Sequence, residues 1–240
     1  MSVALVHGVP DTQRVWDAVV SRLRRKDVVR LSLPGFGCLT PDGFKATKEA
    51  YVDWLLAELD ALTGPIDLVG HDWGALLVVR AVSLRPTAVR TWAAGGAPLD
   101  REYVWHQAAQ AWQTPGVGEK VMERLTPEAM RAALVAAGVP APDADSTASR
   151  VDATMKRCIL SLYRSAVKVG DEWEDDLRRV TAPGLVVWGE NDPYAVVEFG
   201  ARLAAKTRAR FVALPGCSHW WQLERPAEVA AELERHWASA

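Results

Sequence analysis

One short stretch of the sequence carries the pattern of a reactive carboxylate. Residues 66–69 form an apolar run, and residues 70–74 then read Gly-His-Asp-Trp-Gly before an apolar helical pattern begins. This order predicts a strand, a sharp turn and a helix, the arrangement of a nucleophile elbow. Such a turn strains the backbone of its central residue and needs small residues two positions before and after it. Gly70 and Gly74 meet that need, and Asp72 lies at the tip.

An aspartate at this position indicates a particular chemistry. A free aspartate side chain has a pKa near 4 and is ionised at neutral pH, so Asp72 needs no base to become a nucleophile. Its carboxylate can displace a leaving group at a saturated carbon and form an alkyl ester that water later hydrolyses, whereas a serine would form a dead-end ether. The pattern therefore points to epoxides or alkyl halides as substrates. The same residues also fit an aspartate that only caps the following helix.

Two further residues complete a candidate triad. Asp192 and His219 each follow a predicted strand, at residues 184–189 and 209–214. Because the carboxyl ends of parallel strands meet at one edge of a sheet, both side chains are expected beside Asp72. Taken singly, the aspartate fits a turn and the histidine a surface loop. Together they predict an acid that orients the imidazole and a base that activates the hydrolytic water.

Strand and helix patterns alternate over most of the chain. This alternation implies right-handed crossovers and a mostly parallel sheet covered by helices on both faces, so the predicted fold class is α/β. The predicted strands are residues 3–6, 28–33, 66–69, 89–94, 184–189 and 209–214, and the predicted helices are residues 12–25, 46–62, 75–82 and 226–237.

The pattern changes between residues 98 and 180, where strand signals are missing. Helical segments are predicted at residues 119–125, 127–137 and 153–169. Residues 138–146 are rich in turn formers and are predicted to be a mobile loop. The domain prediction is therefore a core made of residues 1–97 and 181–240, with a helical cap, residues 98–180, inserted into it.

Composition restricts the partners. The chain has 240 residues, 49% of them hydrophobic, which is enough for one large core, and its net charge of −2 gives no reason to expect nucleic acid or a membrane surface. An odd number of widely spaced cysteines indicates a reduced compartment, the cytoplasm, and the chain lacks the patterns of a signal peptide and of a bilayer-spanning segment. We expect a monomer or homodimer with a small apolar substrate and neither cofactor nor metal.

Five motifs, in order, resemble those of the alpha/beta-hydrolases of the epoxide hydrolase and haloalkane dehalogenase group. They extend over nearly the whole predicted core, and the cap matches more weakly. The resemblance implies an alpha/beta-hydrolase fold, the triad order nucleophile, acid, histidine, and no cofactor. One departure is that the first predicted strand resembles the group's third, so its two leading strands are expected to be absent. The motifs are residues 7–10, 34–37, 70–74, 189–193 and 216–220.

The resemblance also implies an oxyanion hole. The backbone N–H groups of Val9 and Trp73 would stabilise the charge that develops on the ester carbonyl oxygen. The side chain of His7, in the same loop as Val9, is expected to form hydrogen bonds within the loop and to have no catalytic role.

The leaving atom decides between the two leading reactions. An epoxide oxygen needs an acid, which cap tyrosines supply in epoxide hydrolases, and Tyr163 lies in a segment that resembles one of theirs. Where the second tyrosine would fall, this chain has Ala108, with Tyr103 nearby. One acid is therefore missing, and a packing role for Tyr163 stays open. The resemblance favours an epoxide hydrolase that gives a vicinal diol.

A haloalkane dehalogenase is the first alternative, because the indole N–H of Trp73 could face a halide. Trp105, His106 and Trp112 are the cap residues expected to line the substrate pocket. Dehalogenases of the fluoroacetate type carry an arginine where Trp73 stands, which disfavours that reaction. A non-catalytic ligand-binding member of the fold and a cofactor-free lyase are further alternatives. A binder would be expected to have lost part of the triad, and all three members are present.

Overall fold

A single parallel sheet lies at the centre of the chain. The computed structural model describes residues 2–240 and contains β1 (Ser2–Val6), β2 (Val28–Leu31), β3 (Ile66–His71), β4 (Thr91–Gly95), β5 (Gly184–Gly189) and β6 (Arg210–Leu214). The strand order is β2-β1-β3-β4-β5-β6, and every neighbouring pair is parallel. Strands β3, β4 and β5 are buried along their whole length, as expected for strands covered on both faces. The predicted fold class is confirmed. Met1, part of the predicted core range, lies outside the described residues.

Helices cover both faces of the sheet. One face packs against α2, α3 and α10, and the other against α1, α11 and α12. The helices are α1 (Asp17–Val20), α2 (Lys48–Ala61), α3 (Trp73–Leu84), α4 (Gln107–Gln113), α5 (Val117–Arg124), α6 (Pro127–Ala136), α7 (Ala141–Ala148), α8 (Ala153–Ser165), α9 (Val169–Trp173), α10 (Val197–Thr207), α11 (Trp221–Glu224) and α12 (Pro226–Ala238). Within residues 2–240, none of them has the length and the apolar composition needed to cross a bilayer.

The connection between β4 and β5 contains helices α4 to α9 and a 3-10 helix, Glu174–Arg179. The division of the chain into a core and a cap of residues 98–180 stays a prediction. The expectation of a mobile loop at residues 138–146 is wrong for its second half, because α7 begins at Ala141. Pro142 lies in the first turn of that helix, where its missing N–H costs nothing, and Asp143 favours the same turn through the helix dipole.

The helix predicted from residue 12 to residue 25 is also wrong in its length. The structure has a 3-10 helix, Gln13–Trp16, followed by the four residues of α1. Several valines here are β-branched and lower helix propensity, so the segment follows the sheet surface in turns instead. Val15, Trp16, Val19 and Leu23 are nevertheless buried, whereas Val20, also expected on the inner side of this helix, is only half-buried.

Close backbone approach explains the glycines of the elbow between β3 and α3. A Cβ atom on Gly74 would overlap the carbonyl oxygen of Val6, and one on Gly70 would overlap that of Gly74. Between these glycines Asp72 has a φ of 52°, a left-handed conformation that side chains other than glycine rarely adopt. The surrounding packing therefore holds the aspartate in a strained position.

We predict that Gly74→Ala lowers the free energy of unfolding by at least about 3 kcal/mol, because two main-chain segments must separate to admit the methyl group. Urea denaturation should show a lower midpoint with an unchanged m-value. Gly43→Ala is the matched control, since Gly43 has a φ of 73° and nothing within 4 Å of an added Cβ. It should cost about 1 kcal/mol, from backbone strain alone. Equal losses in the two variants would contradict the overlap at the elbow.

Candidate active site

The carboxylate of Asp72 lies where the loops after β1 and β3 meet. Its Oδ1 accepts a hydrogen bond of 2.7 Å from the backbone N–H of Val9, and the N–H of Trp73 also bonds to the carboxylate. Strands β1 and β3 are neighbours in the sheet, so the loop that carries Val9 passes directly beside the elbow. Both N–H groups predicted for the oxyanion hole thus contact this carboxylate, and the N–H of Val9 is directed at Oδ1.

Asp192 and His219 lie beside this carboxylate, after β5 and β6. The imidazole Nδ1 is 2.8 Å from Oδ2 of Asp192, and because an ionised carboxylate only accepts hydrogen bonds, Nδ1 carries the proton. The other oxygen of Asp192 accepts the N–H groups of Tyr194 and Ala195, at 2.8 and 3.1 Å. The imidazole Nε2 is then 3.7 Å from Oδ2 of Asp72. The structure brings the three predicted triad residues into one chain of contacts.

Burial and charge act in opposite directions on this group. Burial lowers the pKa of His219, but the charge and hydrogen bond of Asp192 and the charge of Asp72 outweigh it and raise that pKa to about 9. Burial raises the pKa of Asp72, against the charge of His219 and the N–H groups of Val9 and Trp73. The pair therefore behaves as a coupled carboxylate and imidazolium, each stabilising the charge of the other.

A second histidine supports the loop that carries His219. The Nε2–H of His71 donates to the carbonyl of His219 at 2.9 Å, and the amide of Gln222 donates to its Nδ1 at 3.0 Å. Burial holds the pKa of His71 well below its usual range, so the ring stays neutral with this tautomer. Sequence reasoning missed this contact, although His71 directly precedes the nucleophile.

Both ring nitrogens of His7 form hydrogen bonds, one of them within its own loop as expected. Its Nδ1–H donates to the carbonyl of Gly8 at 2.9 Å, and its Nε2 accepts the N–H of Leu33 at 3.1 Å. Burial lowers its pKa to about 4, so the ring is neutral at physiological pH. The side chain joins the loops after β1 and β2, which helps to fix the path of the chain at Val9.

Asp11 is a buried carboxyl group beside the triad, and sequence reasoning gave it no role in the site. Its Oδ2 accepts the indole N–H of Trp220 at 2.9 Å, and its Oδ1 has no hydrogen-bond partner within residues 2–240. Burial raises the pKa of Asp11 to about 7, with Trp220 and His219 lowering it and Asp72 raising it. The available signal in the sequence was that Asp11 directly follows the motif at residues 7–10.

A cavity of about 250 Å³ opens onto Asp72 and His219. Most of its lining is aromatic or aliphatic, and within the described part of the chain no lysine or arginine contributes to it. Ala108 lines it, at the position where a tyrosine was expected. So do all the predicted site residues except Asp192, which lies behind His219. The lining residues include Val9, Asp72, Trp73, Tyr103, Trp105, His106, Trp112, Leu134, Tyr163, Tyr194, His219 and Trp220.

Tyr163 is buried against Trp73, the residue that follows Asp72. Its ring centre is 5.4 Å from that of Trp73, and it also packs against Trp105 and Trp112. Burial raises the pKa of Tyr163 well above its usual range, the charge of Asp72 raises it further, and a hydrogen bond with the Trp73 side chain lowers it. The hydroxyl therefore lies within the electrostatic reach of the carboxylate and is protonated at neutral pH.

The other predicted pocket residues are held by packing. Nδ1 of His106 accepts the N–H of Ala109 at 3.3 Å and so caps α4, and burial lowers the pKa of His106 to about 4. The indole N–H of Trp112 is buried and has no partner within residues 2–240. Trp105 stacks on Trp73 at 6.0 Å. These contacts form an aromatic wall above Asp72.

Two relatives resemble almost the whole chain at low identity. Epoxide hydrolase A of Mycobacterium tuberculosis is 26% identical, over 96% of this chain and 88% of the relative. The (E)-2-((N-methylformamido)methylene)succinate hydrolase of Acinetobacter baylyi is 24% identical, over 97% of this chain and 88% of the relative.

Solved structures share the fold. A haloalkane dehalogenase from Bradyrhizobium elkani superposes with a TM-score of 0.79 at 20% identity, covering 100% of this chain and 91% of that one. A thermophilic esterase from Thermogutta terrifontis gives 0.78 at 22% identity, with 100% and 89% covered.

The sequence profile of the alpha/beta hydrolase family matches residues 3–232, nearly the entire chain. The superfamily expected from the five motifs is confirmed. The chain belongs to the alpha/beta hydrolase family.

Proposed function

We propose that this hydrolase acts through an ester of Asp72 and that its reaction opens a neutral epoxide to a vicinal diol. The proposal rests on one observation, that two complementary groups line the same apolar cavity. A carboxylate with one oxygen free supplies the nucleophile, and the buried phenol of Tyr163 supplies a hydrogen-bond donor for the oxygen that leaves carbon.

In the first step Oδ2 of Asp72 attacks an epoxide carbon. The carbon–oxygen bond of the ring breaks, its electron pair goes to the ring oxygen, and the Tyr163 hydroxyl donates a hydrogen bond to the developing alkoxide. Ester formation removes the negative charge of Asp72, one of the causes that raise the pKa of His219. The imidazolium then gives up a proton, which the alkoxide takes, and the imidazole becomes neutral when a base is needed.

In the second step neutral His219 takes a proton from water, which attacks Cγ of the ester. Negative charge develops on Oδ1, the oxygen that accepts the N–H of Val9, and the N–H of Trp73 also bonds to this carboxyl group. As this intermediate collapses, the ester oxygen leaves with the proton of the imidazolium, which releases the diol. The new carboxylic acid then gives its proton to His219, which restores the carboxylate and the imidazolium. Asp192 holds the imidazole in one tautomer throughout, through the 2.8 Å hydrogen bond to Nδ1.

The charges around the cavity favour a neutral, apolar substrate. Asp11, Asp72 and Asp192 surround the site, and no lysine or arginine of residues 2–240 lines the cavity. A substrate carboxylate would find only the imidazolium of His219, whose charge is already paired with Asp72 and Asp192, and would be repelled by the nucleophile. A dicarboxylate of the kind named for the Acinetobacter relative is therefore disfavoured.

Dehalogenation is the second candidate, and the position of Trp73 favours it. Its side chain lines the cavity directly beside Asp72, where an indole N–H could stabilise a departing halide. The buried phenol of Tyr163 favours epoxide opening over dehalogenation, because a departing halide is a weak base and needs no acid. A binding protein without activity is disfavoured by the intact hydrogen bonds of the triad residues.

We expect His219→Gln to trap the ester, since alkylation needs no base and hydrolysis does. Intact-mass spectrometry after incubation with styrene oxide should show the protein heavier by the whole mass of the epoxide. A haloalkane would instead add its alkyl group without the halogen, so the mass identifies the reaction. The double variant with Asp72→Asn should stay unmodified. A folded His219→Gln protein that forms no adduct with either substrate class would refute the nucleophile.

The coupling of the charges can be tested directly on the imidazole. Asp72→Asn imitates the neutral ester, so the pKa of His219 should fall from about 9 by about one to three pH units. The direction follows because the lost carboxylate stabilises only the protonated ring. NMR titration of labelled histidine measures it, and His236, bonded to the carbonyl of Trp92, is the internal control. An unchanged pKa of His219 would exclude the proposed switch to a base.

Tyr163→Phe should slow epoxide opening roughly 10²-fold, at the lower end of the range for general acid catalysis, because the ring stays and one donor is lost. Halide release from haloalkanes should not change. Tyr51→Phe is the matched control, since the Tyr51 hydroxyl bonds the carbonyl of Pro34 away from the cavity. Single-turnover rates of diol formation provide the measurement. Halide release without epoxide opening in the wild type, unaffected by Tyr163→Phe, would favour dehalogenation.

A further inference from the structure

The cavity contains two phenols that the reaction described above does not use. The chain has four tyrosines, and three of them, Tyr103, Tyr163 and Tyr194, line the cavity. The cap helix α8 supplies Tyr163, whereas Tyr194 comes from the loop after β5, two residues beyond Asp192. The resemblance to epoxide hydrolases directs attention to the cap for a second donor, where Ala108 offers none.

Tyr103 is not available as a donor to substrate. Its hydroxyl already donates to the carbonyl of Tyr194 at 3.0 Å and is hydrogen-bonded by the backbone N–H of His106. These contacts join the start of the segment after β4 to the loop after β5. The Tyr103 hydroxyl therefore has a structural use.

The hydroxyl of Tyr194 is free. Within residues 2–240 it has no hydrogen-bond partner, although the rest of the residue is firmly held. Its N–H donates to Asp192 at 2.8 Å, and its ring meets His219 edge-on at 5.0 Å and lies 4.9 Å from the ring of His106. Contacts on the ring and on both main-chain groups thus fix the direction of the hydroxyl.

The surroundings of this hydroxyl are those of the reacting groups. Burial raises the pKa of Tyr194 to about 12, and the charges of Asp192, Asp72 and Asp11 contribute to the rise. The same electrostatic contact links it to Tyr163, whose pKa Tyr194 helps to raise. The phenol is therefore a protonated donor that lines the same cavity as Asp72 and Tyr163 and lies within electrostatic reach of both.

We infer that Tyr194 is the second hydrogen-bond donor to the epoxide oxygen, supplied by the core in place of the phenol absent at Ala108. This inference rests on the proposed epoxide opening. As the bond from Asp72 to carbon forms and the carbon–oxygen bond breaks, the oxygen receives one hydrogen bond from Tyr163 and one from Tyr194. Neither phenol loses its proton, because the alkoxide takes its proton from His219.

The test measures single-turnover alkylation of Asp72 in wild type, Tyr194→Phe, Tyr163→Phe and the double variant. Two terminal epoxides are compared, 1,2-epoxypropane and its 3,3,3-trifluoro analogue, whose opening gives a far less basic alkoxide. With epoxypropane, Tyr194→Phe should slow alkylation about 10–100-fold, the effect of one hydrogen bond to a developing charge. The double variant should be slower than either single one. The loss should be clearly smaller with the trifluoro epoxide.

A purely structural role for Tyr194 predicts a different pattern, with the same loss for both epoxides. That result overturns the inference and leaves the proposed function intact. The same conclusion follows if the wild type opens both epoxides and Tyr194→Phe is as fast as the wild type. A wild type that opens no epoxide overturns both. If Tyr194→Phe does not fold, 3-fluorotyrosine at position 194 replaces it. That residue keeps ring and hydroxyl, and its stronger donor should maintain or increase the rate. A marked loss there would overturn the inference.

Discussion

The coupled charges of Asp72 and His219 are the interaction on which the site depends. Each charge alone would be costly so far from water, and together they lie 3.7 Å apart between fixed hydrogen-bond partners. The backbone N–H of Val9 holds one oxygen of the carboxylate, and Asp192 holds the far nitrogen of the imidazole. Any event that neutralises Asp72 therefore lowers the pKa of His219. In the proposed mechanism, this coupling lets one pair of residues serve first as nucleophile and proton donor, and then as ester and base.

The sheet explains why these groups meet. Parallel strands direct their carboxyl ends to one edge, and β3, β4, β5 and β6 are neighbours in that order. The elbow adds a second constraint, because Gly70 and Gly74 allow main-chain segments to approach so closely that Asp72 adopts a φ of 52°. His71 then ties the loop of His219 back to the elbow strand. The chemistry is thus located by backbone geometry before any substrate binds.

Sequence reasoning succeeded where the signal was local. Strand patterns followed by a single polar residue placed Asp72, Asp192 and His219 at one sheet edge, since strand direction alone fixes that outcome. It was less successful where packing overrides propensity, as in the predicted helix from residue 12, or where a proline begins a helix, as at α7. It also missed Asp11, His71 and Tyr194. Their environments arise from contacts between distant segments, such as Trp220 with Asp11, which no local pattern records.

The fold alone does not select a substrate, because a haloalkane dehalogenase and an esterase share it. Selection comes from the groups above the carboxylate. The aromatic wall and the surrounding carboxylates disfavour an anionic substrate. The number of free hydrogen-bond donors over Asp72 decides which leaving atom is stabilised. One such donor, Tyr163, belongs to α8 and the other, Tyr194, to the core loop that also orients Asp192. A donor on that loop cannot move without disturbing the triad, so the position of the epoxide oxygen is tied to the position of the base. In the proposed reaction, this core loop thus supplies the second donor that Ala108 does not.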